Sequence, residues 1–433
     1  MSEHQQVAVL FALLFGTIAL AVPIPIAVAI AAIAGFYFAD LPLVALAQAM
    51  YTGLEPLPLM TVPLFVFAGS LMERGGLADR IVGVARSLIG NYTGSLGLVA
   101  VLGCTFFAAL SGSGPATTAA IGAVMIPAML RERYNPAFGG AIIASGGALG
   151  SLIPPSNLMV VYGLVSDTSI PRLFLAGVVP GLIASSLLML TTWLMAKSMG
   201  LRGSSERFSW AVFGRALYEG KWALGAPVVI LGGIYSGIFT PTEAAAVAVF
   251  YAAFVGIFIH RELTWGGFVF SLKATGMISG AAIIILGPAK AFGEIMTLLS
   301  VPEMIGVFLK AFTSSQFVML MGITFVLVIA GMFLESIAQI ILLTPLLLPL
   351  AVSLGVDPVV FGILFVVCCE IGFLTPPVGA NLFVAMRLTG VSIDKISVAV
   401  LPYLVAYLAV VVLIALFPEL VTWLPDHLYG KSR

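Results

Sequence analysis

The chain has 433 residues, of which 61% are hydrophobic and 9% charged, with 19 basic and 19 acidic side chains and no net charge. Soluble domains run nearer ~25% charged and ~45–50% apolar, so a soluble globular protein is excluded. Nothing in the charge balance provides the basic surface that nucleic-acid binding requires.

Apolar runs of roughly 20 residues, long enough to cross a bilayer, recur from end to end. They are continuous and lack the alternation over ~10-residue segments of a transmembrane barrel. The composition therefore gives an all-α polytopic membrane protein.

In chain order, the first apolar run starts at Val7 after MSEHQQ, which has no Lys or Arg. This reads as a retained membrane segment rather than a cleaved signal. Residues 73–92 carry Glu73, Arg74, Asp79, Arg80 and Arg86 on a semi-polar stretch. That predicts an interfacial helix, bracing a moving part or meeting a partner. ALSGSGPATTAAIG (109–122) follows, and about forty residues later GSLIPPSNL (150–158).

The most polar stretch, 196–222, holds Lys197, Arg202, Arg207, Arg215 and Lys221 against Glu206 and Glu219. The excess of Lys and Arg places it on the cytoplasmic side. Beyond it, Thr240-Pro241-Thr242-Glu243 reads as a capping box with proline at N1. It splits 224–259 into two crossings and returns Arg261 to the side of the 196–222 loop. Lys290 and Glu294 stand at i,i+4 and can pair with each other. GMFLESIAQIILLTP (331–345) and GFLTPPVGANL (372–382) come next. Cys104, Cys368 and Cys369 lie in apolar runs without zinc-site spacing and read as small buried hydrophobes. His4, His260 and His427 lie at ends or in loops.

Residues 115–182 laid over 337–404, at an offset of 222, bring five prolines into coincidence. Pro127, Pro136, Pro154, Pro155 and Pro180 meet Pro349, Pro358, Pro376, Pro377 and Pro402. Gly140 meets Gly362, and Gly150 meets Gly372. The chain reads as two copies of one unit, 1–200 and 223–433, joined by a connector at 201–222.

Each copy thus holds two interruptions. Proline removes an amide donor and clashes with the preceding turn. Unsatisfied backbone costs several kcal/mol per group in hydrocarbon, so broken helices persist only around a protein-enclosed cavity. Paired breaks in two repeats point to a secondary transporter's substrate site. Half-helix C-termini and freed carbonyls suit Na⁺, and half-helix N-termini suit an anion. Ser111, Ser113, Thr117, Ser156, Asn157, Thr375 and Asn381 supply neutral oxygens, beside flexible Gly112 and Gly114 and with Pro115 opening a half-helix. Such donors suit a monovalent cation better than Ca²⁺, which takes several carboxylates.

SGSGPATTAAIGAVMIPAM, GSLIPPSNLMVVYG, GIYSGIFTPTEAAAVAVFYA, GMFLESIAQIILLTPLLLPL and GFLTPPVGANLFVA together resemble the large membrane subunit of tripartite ATP-independent periplasmic (TRAP) transporters. The resemblance covers almost the whole chain. It implies two inverted structural repeats with re-entrant helical hairpins, divided between an elevator-type scaffold and a moving transport domain. It implies Na⁺-coupled uptake of a small organic anion, carboxylate or sulfonate, across the bacterial inner membrane. It also implies a small four-helix membrane subunit and a soluble periplasmic substrate-binding protein.

By motif, the resemblance puts the hairpin tips at 111–118 and 335–339, with companion breaks at 154–157 and 375–381. Each tip and break would hold one Na⁺. The first set is Ser113, Gly114, Thr117, Gly150, Pro154 and Asn157. The second is Glu335, Gln339, Gly372, Thr375, Pro376 and Asn381. Substrate would lie between them, against Ser111, Ser113, Gly114, Pro155, Ser156, Asn157, Thr375, Pro377 and Asn381.

Arg387 departs from the family picture, in which a neutral residue follows the second break. It meets an anionic substrate or snorkels to the interface. Glu335, at the repeat position of Ser113, either starts a half-helix or helps set a cation site. Glu370 either pairs with a cation such as Lys290 or takes part in proton or Na⁺ coupling. Such intramembrane carboxylates are functional by default.

Three other functions compete with this reading. A single-chain Na⁺/organic anion elevator symporter would work without a binding protein. An intramembrane hydrolase needs a Ser–His, paired Asp or HExxH constellation, and none is placed for it. A channel fits poorly with two break sites enclosing a binding site. No GxxxxGK[ST] loop is present, so the energy source is expected to be an ion gradient, which gives ~2.3 kcal/mol per charge per 100 mV.

Overall fold

The structure, a computed structural model, describes residues 2–55, 57–90, 92–201, 208–312 and 315–430. Arg202, Glu206 and Arg207 of the polar connector lie outside the described residues.

The first half holds α1 (Glu3–Ala19), α2 (Ile24–Phe38), α3 (Leu43–Thr52), α4 (Thr61–Arg74), α5 (Leu77–Ile89), α6 (Ser95–Ser111), α7 (Gly114–Arg131), α8 (Pro136–Gly147), α9 (Asn157–Ser166) and α10 (Ile170–Ser198). The second holds α11 (Trp210–Tyr235), α12 (Pro241–Phe254), α13 (Trp265–Leu298), α14 (Val301–Phe312), α15 (Gln316–Phe333), α16 (Ser336–Ser353), α17 (Pro358–Phe373), α18 (Ala380–Thr389), α19 (Ile393–Leu416) and α20 (Glu419–Tyr429). α7 and α16 begin 222 residues apart, at 114 and 336, as do α8 and α17, at 136 and 358.

The start signals recur at the same spacing. Asn135 caps α8 by accepting from Ala137 N–H at 2.9 Å, and Asp357 caps α17 by accepting from Val359 N–H at 2.7 Å. Each is followed by proline at N1, where the missing N–H costs nothing. The capping box at Thr240 and Glu243 is present: Thr240 N–H donates to Glu243 Oε2 at 2.8 Å, and Glu243 N–H to Thr240 Oγ1 at 3.3 Å. Helices α11 and α12 flank it, giving two separate segments over 210–259.

Two groups of helices pack together. In one, α4 lies against α12 and α13, α2 against α13, and α5 against α11. In the other, α6, α7 and α8 form one bundle and α15, α16 and α17 another. These bundles interlock: α9 packs on α16, and α18 on α7 and α8. The groups meet through α4 and α5 against α6, and α13 against α16.

The polar stretch 196–222 is not all loop, because α11 already covers 210–222. The semi-polar stretch 73–92 is the end of α4 and the amphipathic α5. There Leu77, Ile81, Val82 and Ala85 face inward, while Asp79 and Arg86 are exposed. Arg80 pairs with Glu262 at 2.7 Å.

Among the described residues, five helices are long and apolar enough to cross a membrane: Ile170–Ser198, Pro241–Ile259, Trp265–Leu298, Ser336–Ser353 and Ile393–Leu416. Large apolar side chains such as Phe250, Trp265, Met277 and Phe325 stand exposed, as a lipid-facing surface requires. The chain is a polytopic membrane protein. Cys104, Cys368 and Cys369 are free and buried.

Glycines mark the closest approaches. A Cβ on Gly362 would strike the ring of Tyr162, whose hydroxyl donates to Pro358 O at 2.7 Å. Nothing lies within 4 Å of a Cβ on Gly276, which is also mid-helix. Gly362→Ala is expected to destabilise by about 1–3 kcal/mol through overpacking. Gly276→Ala is expected to be neutral or to stabilise by up to about 1 kcal/mol. Thermal unfolding of both variants in detergent measures the contrast; equal midpoints would contradict the packing.

Candidate functional site

The first hairpin tip forms where α6 stops and α7 starts across two residues. Gly112 takes a left-handed conformation at φ 61°, which glycine accepts without a Cβ clash. Ser113 is extended and sits at the N-cap of α7, with Pro115 inside the first turn. Its own hydroxyl makes no cap bond to α7. Ser111 and Thr117 hydrogen-bond to each other across the tip.

The companion break follows α8. A short 3₁₀ turn, Ala148–Ser151, leads to a cis Pro154–Pro155 bond. α9 then restarts, capped by Ser156, which accepts from Met159 N–H at 3.3 Å. Tip and break are joined by backbone, Asn157 N–H donating to Gly112 O at 3.1 Å. They are also joined by a side chain, Gly114 N–H donating to Ser151 Oγ at 3.1 Å. Gly150 is pressed on the tip: a Cβ there would lie 2.7 Å from the Ser113 carbonyl carbon and 2.5 Å from Thr117 Oγ1.

The second half repeats the plan with different chemistry. α15 ends, Leu334 is extended, and Glu335 caps α16, accepting from Ile337 N–H at 2.9 Å and Ala338 N–H at 3.2 Å. The break carries a cis Pro376–Pro377 bond, and Val378 N–H donates to Met332 O at 3.2 Å. Gly372 approaches the hairpin as Gly150 does, with a Cβ only 2.7 Å from Gly331 Cα. Buried Gln339 donates to Leu327 O at 2.6 Å, and its Oε1 accepts from Cys369 Sγ at 3.4 Å.

Of the first predicted cation set, Ser113, Gly114, Thr117, Gly150 and Asn157 converge, with Pro154 in the buried turn between them. Asn157 is buried and its Oδ1 has no partner. Of the second, Glu335 caps α16 while Gln339 and Gly372 lie at the hairpin's base. Thr375 donates to Ile371 O at 2.7 Å, and Pro376 and Pro377 are exposed. Asn381 crosses to the first half, its Nδ2 donating to Ala144 O at 3.2 Å.

A cavity of about 460 Å³ opens where the two tips meet. Its wall holds Ser111, Gly112, Ser113, Pro115, Ser151 and Asn157 from the first half, with Glu335 and Ile337 from the second. Ser70, Glu73, Arg74 and Phe270 close it from the other helix group.

Arg74 is the cation of this lining, its guanidinium carbon 3.8 Å from the Phe270 ring centroid. Sequence reading assigned Arg74 to an interfacial helix, because only the fold turns the end of α4 toward the tips. Arg387 is not brought to the cavity; it lies exposed in the last turn of α18, as snorkelling requires. Lys290 stands 3.9 Å from Glu294, so the pairing of Glu370 with Lys290 is not made.

Helical hairpins and broken helices around a central cavity define a membrane permease fold. The solved structure of the Alcanivorax borkumensis YdaH transporter shares it, with a TM-score of 0.61 at 15% identity over 86% of this chain and 87% of that one. Residues 9–420 match the family described as "Tripartite ATP-independent periplasmic transporter, DctM component", and the chain belongs to that family.

Among curated relatives, the isethionate TRAP transporter permease DctMQ of Oleidesulfovibrio alaskensis is 43% identical over 94% of this chain. This chain spans 65% of that longer protein. The C4-dicarboxylate TRAP large permease DctM of Rhodobacter capsulatus is 38% identical, covering 91% of this chain and 92% of its own length. The sialic acid TRAP large permease SiaM of Vibrio cholerae is 37% identical, covering 89% and 90%.

The cavity gives a direct chemical test. The three native cysteines are fully buried, so the folded protein is expected not to react with a maleimide. Ser113→Cys, half-buried on the cavity wall, is expected to react without denaturant. Labelling of the native protein in the absence of that substitution would show that the packing around α6 or α17 opens.

Proposed function

We propose that this chain is the large permease of a Na⁺-coupled, binding-protein-dependent importer of a small organic anion in the bacterial inner membrane. The observation that carries the reading is the 460 Å³ cavity between the two hairpin tips, whose wall combines Arg74 with the first tip and its companion break. Helix N-termini attract anions through exposed amides and the macrodipole. The N-termini of α16 and α9 are capped by Glu335 and Ser156, and Gly114 N–H of α7 is held by Ser151 Oγ, so the α7 dipole and Arg74 would attract the anion. Arg74 faces it across the cavity and adds a charge-assisted contact.

The relatives' names give isethionate, C4-dicarboxylates and sialic acid as their cargo, all small acids, which supports an organic anion here. A soluble periplasmic binding protein would deliver the anion, and a small four-helix membrane subunit would complete the permease.

Two Na⁺ ions would occupy the tip-and-break sites, using carbonyls and the neutral oxygens of Ser113, Thr117, Gln339 and Thr375. Occupied sites would order the tips around the anion. The hairpin group, built as two inverted repeats, would then slide as an elevator against the α1–α5 and α11–α14 group, with the 196–222 connector on the cytoplasmic side.

Uptake into proteoliposomes holding both membrane subunits tests the reading. Uptake is expected to need the binding protein and an inward Na⁺ gradient, and not to be driven by K⁺. Uptake without the binding protein favours a single-chain symporter; uptake without Na⁺ sinks the coupling. Arg74→Ala is expected to raise KM for the anion about tenfold or more, the value of a charge-assisted bond, while leaving Na⁺ activation unchanged. Thr117→Ala is expected to raise the Na⁺ concentration for half-maximal uptake.

A further inference from the structure

Glu370 lies in α17 with 0% exposure, and neither carboxylate oxygen has a hydrogen-bond partner. The ion pairs among the described residues are Arg80–Glu262, Arg172–Asp426 and Lys290–Glu294, so no basic side chain balances it. Buried charges are retained where they are paired or hold a metal ion. The Ser151 hydroxyl is the side chain that interacts with the carboxylate, and Cys369 precedes it on α17. The Tyr407 hydroxyl is engaged elsewhere, donating to Ser145 O at 2.9 Å.

A second orphan stands at the same point. Asn381 is also fully buried, and its Oδ1 has no partner. A Cβ on Gly114 would stand 2.9 Å from Glu370 Oε2 and 3.2 Å from Asn381 Oδ1. Two unpartnered oxygens therefore flank one spot above the first residue of α7. Ser151 Oγ, which accepts from Gly114 N–H, completes the group and keeps a lone pair.

We propose that Glu370, Asn381 and Ser151 form a third cation site, for a dehydrated Na⁺, at the contact between the two halves of the chain. One carboxylate balances one unit charge, and the amide and hydroxyl oxygens are hard neutral donors. Ca²⁺ takes six to eight oxygens with several carboxylates, which this group does not provide. Asn381 then serves this site and not the second hairpin. The ligands come from both halves, Ser151 from the first and Glu370 and Asn381 from the second. Occupancy therefore ties the broken helix α17–α18 to the tip of α7. The site stands on the orphaned Glu370 and does not depend on the hairpin sites.

The test uses purified full-length protein in detergent at fixed pH and ionic strength, with choline replacing Na⁺. Two readouts are taken: ²²Na⁺ bound at saturation and the thermal midpoint in each salt. Glu370→Gln is expected to bind one Na⁺ fewer than wild type and to lose part of the Na⁺-induced rise in midpoint. In choline it is expected to melt at or above wild type, because a lone buried charge has gone.

Ser151→Ala keeps the carboxylate and is expected to weaken one class of Na⁺ binding about tenfold or more. Unchanged stoichiometry and an unchanged Na⁺ increment in Glu370→Gln overturn the site while leaving hairpin coupling intact. A midpoint lowered equally in all salts, with stoichiometry unchanged, assigns Glu370 to capping α7 and also overturns it. Loss of all Na⁺ binding in Thr117→Ala with Gln339→Ala, where Glu370 is untouched, overturns it as well.

Discussion

A break in a membrane helix has no water to repair it, so the protein must supply every backbone partner itself. Here one hydrogen bond in each half does this, from Asn157 N–H to Gly112 O and from Val378 N–H to Met332 O. Each bond forces a hairpin tip to lie on its companion broken helix. That closeness in turn requires a position without a side chain, Gly150 in one half and Gly372 in the other. The tips, the cavity between them and the cluster of buried polar atoms all follow from closing those two gaps.

The halves share this geometry but not its electrostatics. At matching positions, Ser113 makes no cap bond to α7, whose Gly114 N–H goes to Ser151 Oγ instead, whereas Glu335 fills the N-terminus of α16 with its own carboxylate. The first half therefore presents neutral oxygens at its tip where the second presents a carboxylate. Arg74 adds its charge on the facing wall.

Much of this was legible in the sequence because it is local. Proline spacing marked the breaks, Asn-Pro and Asp-Pro pairs marked the starts of α8 and α17, and Thr-Pro-Thr-Glu marked the start of α12. The resemblance of the two motifs to a known family placed Ser113, Thr117, Gly150 and Asn157 in one set. Contacts made across the two halves were not legible. Asn381 sits in the second break by sequence, yet its side chain reaches Ala144 and Gly114 of the first half. Glu370 could be noticed as a carboxylate in an apolar run, but its lack of a partner depends on what packs around α17. Arg74 faced the cavity only once α4 had been placed against α6 and α13. Arg387 was singled out by charge and lies elsewhere, because α18 turns its end to the surface.

The distribution of directional bonds bears on how the two helix groups can move. Ser70 with Ser271, Tyr251 with Trp222 and Arg80 with Glu262 tie the α1–α5 and α11–α14 group internally. Tyr162 with Pro358, Thr192 with Tyr403, Asn381 with Ala144 and Tyr407 with Ser145 tie the hairpin group. Between the groups the contacts are of another kind. Phe65 meets Phe174 edge-on at 6.2 Å, Gly69 lies against the Ser111 backbone, and Gly293 lies against Pro345. Dispersion contacts of this sort are weak individually and carry no fixed register. Sliding one group along the other exchanges such contacts for similar ones, whereas shearing either group internally would leave buried polar atoms unpaired. The directional bonds named here thus lie within the two groups, and the cavity with its polar wall lies on the seam between them.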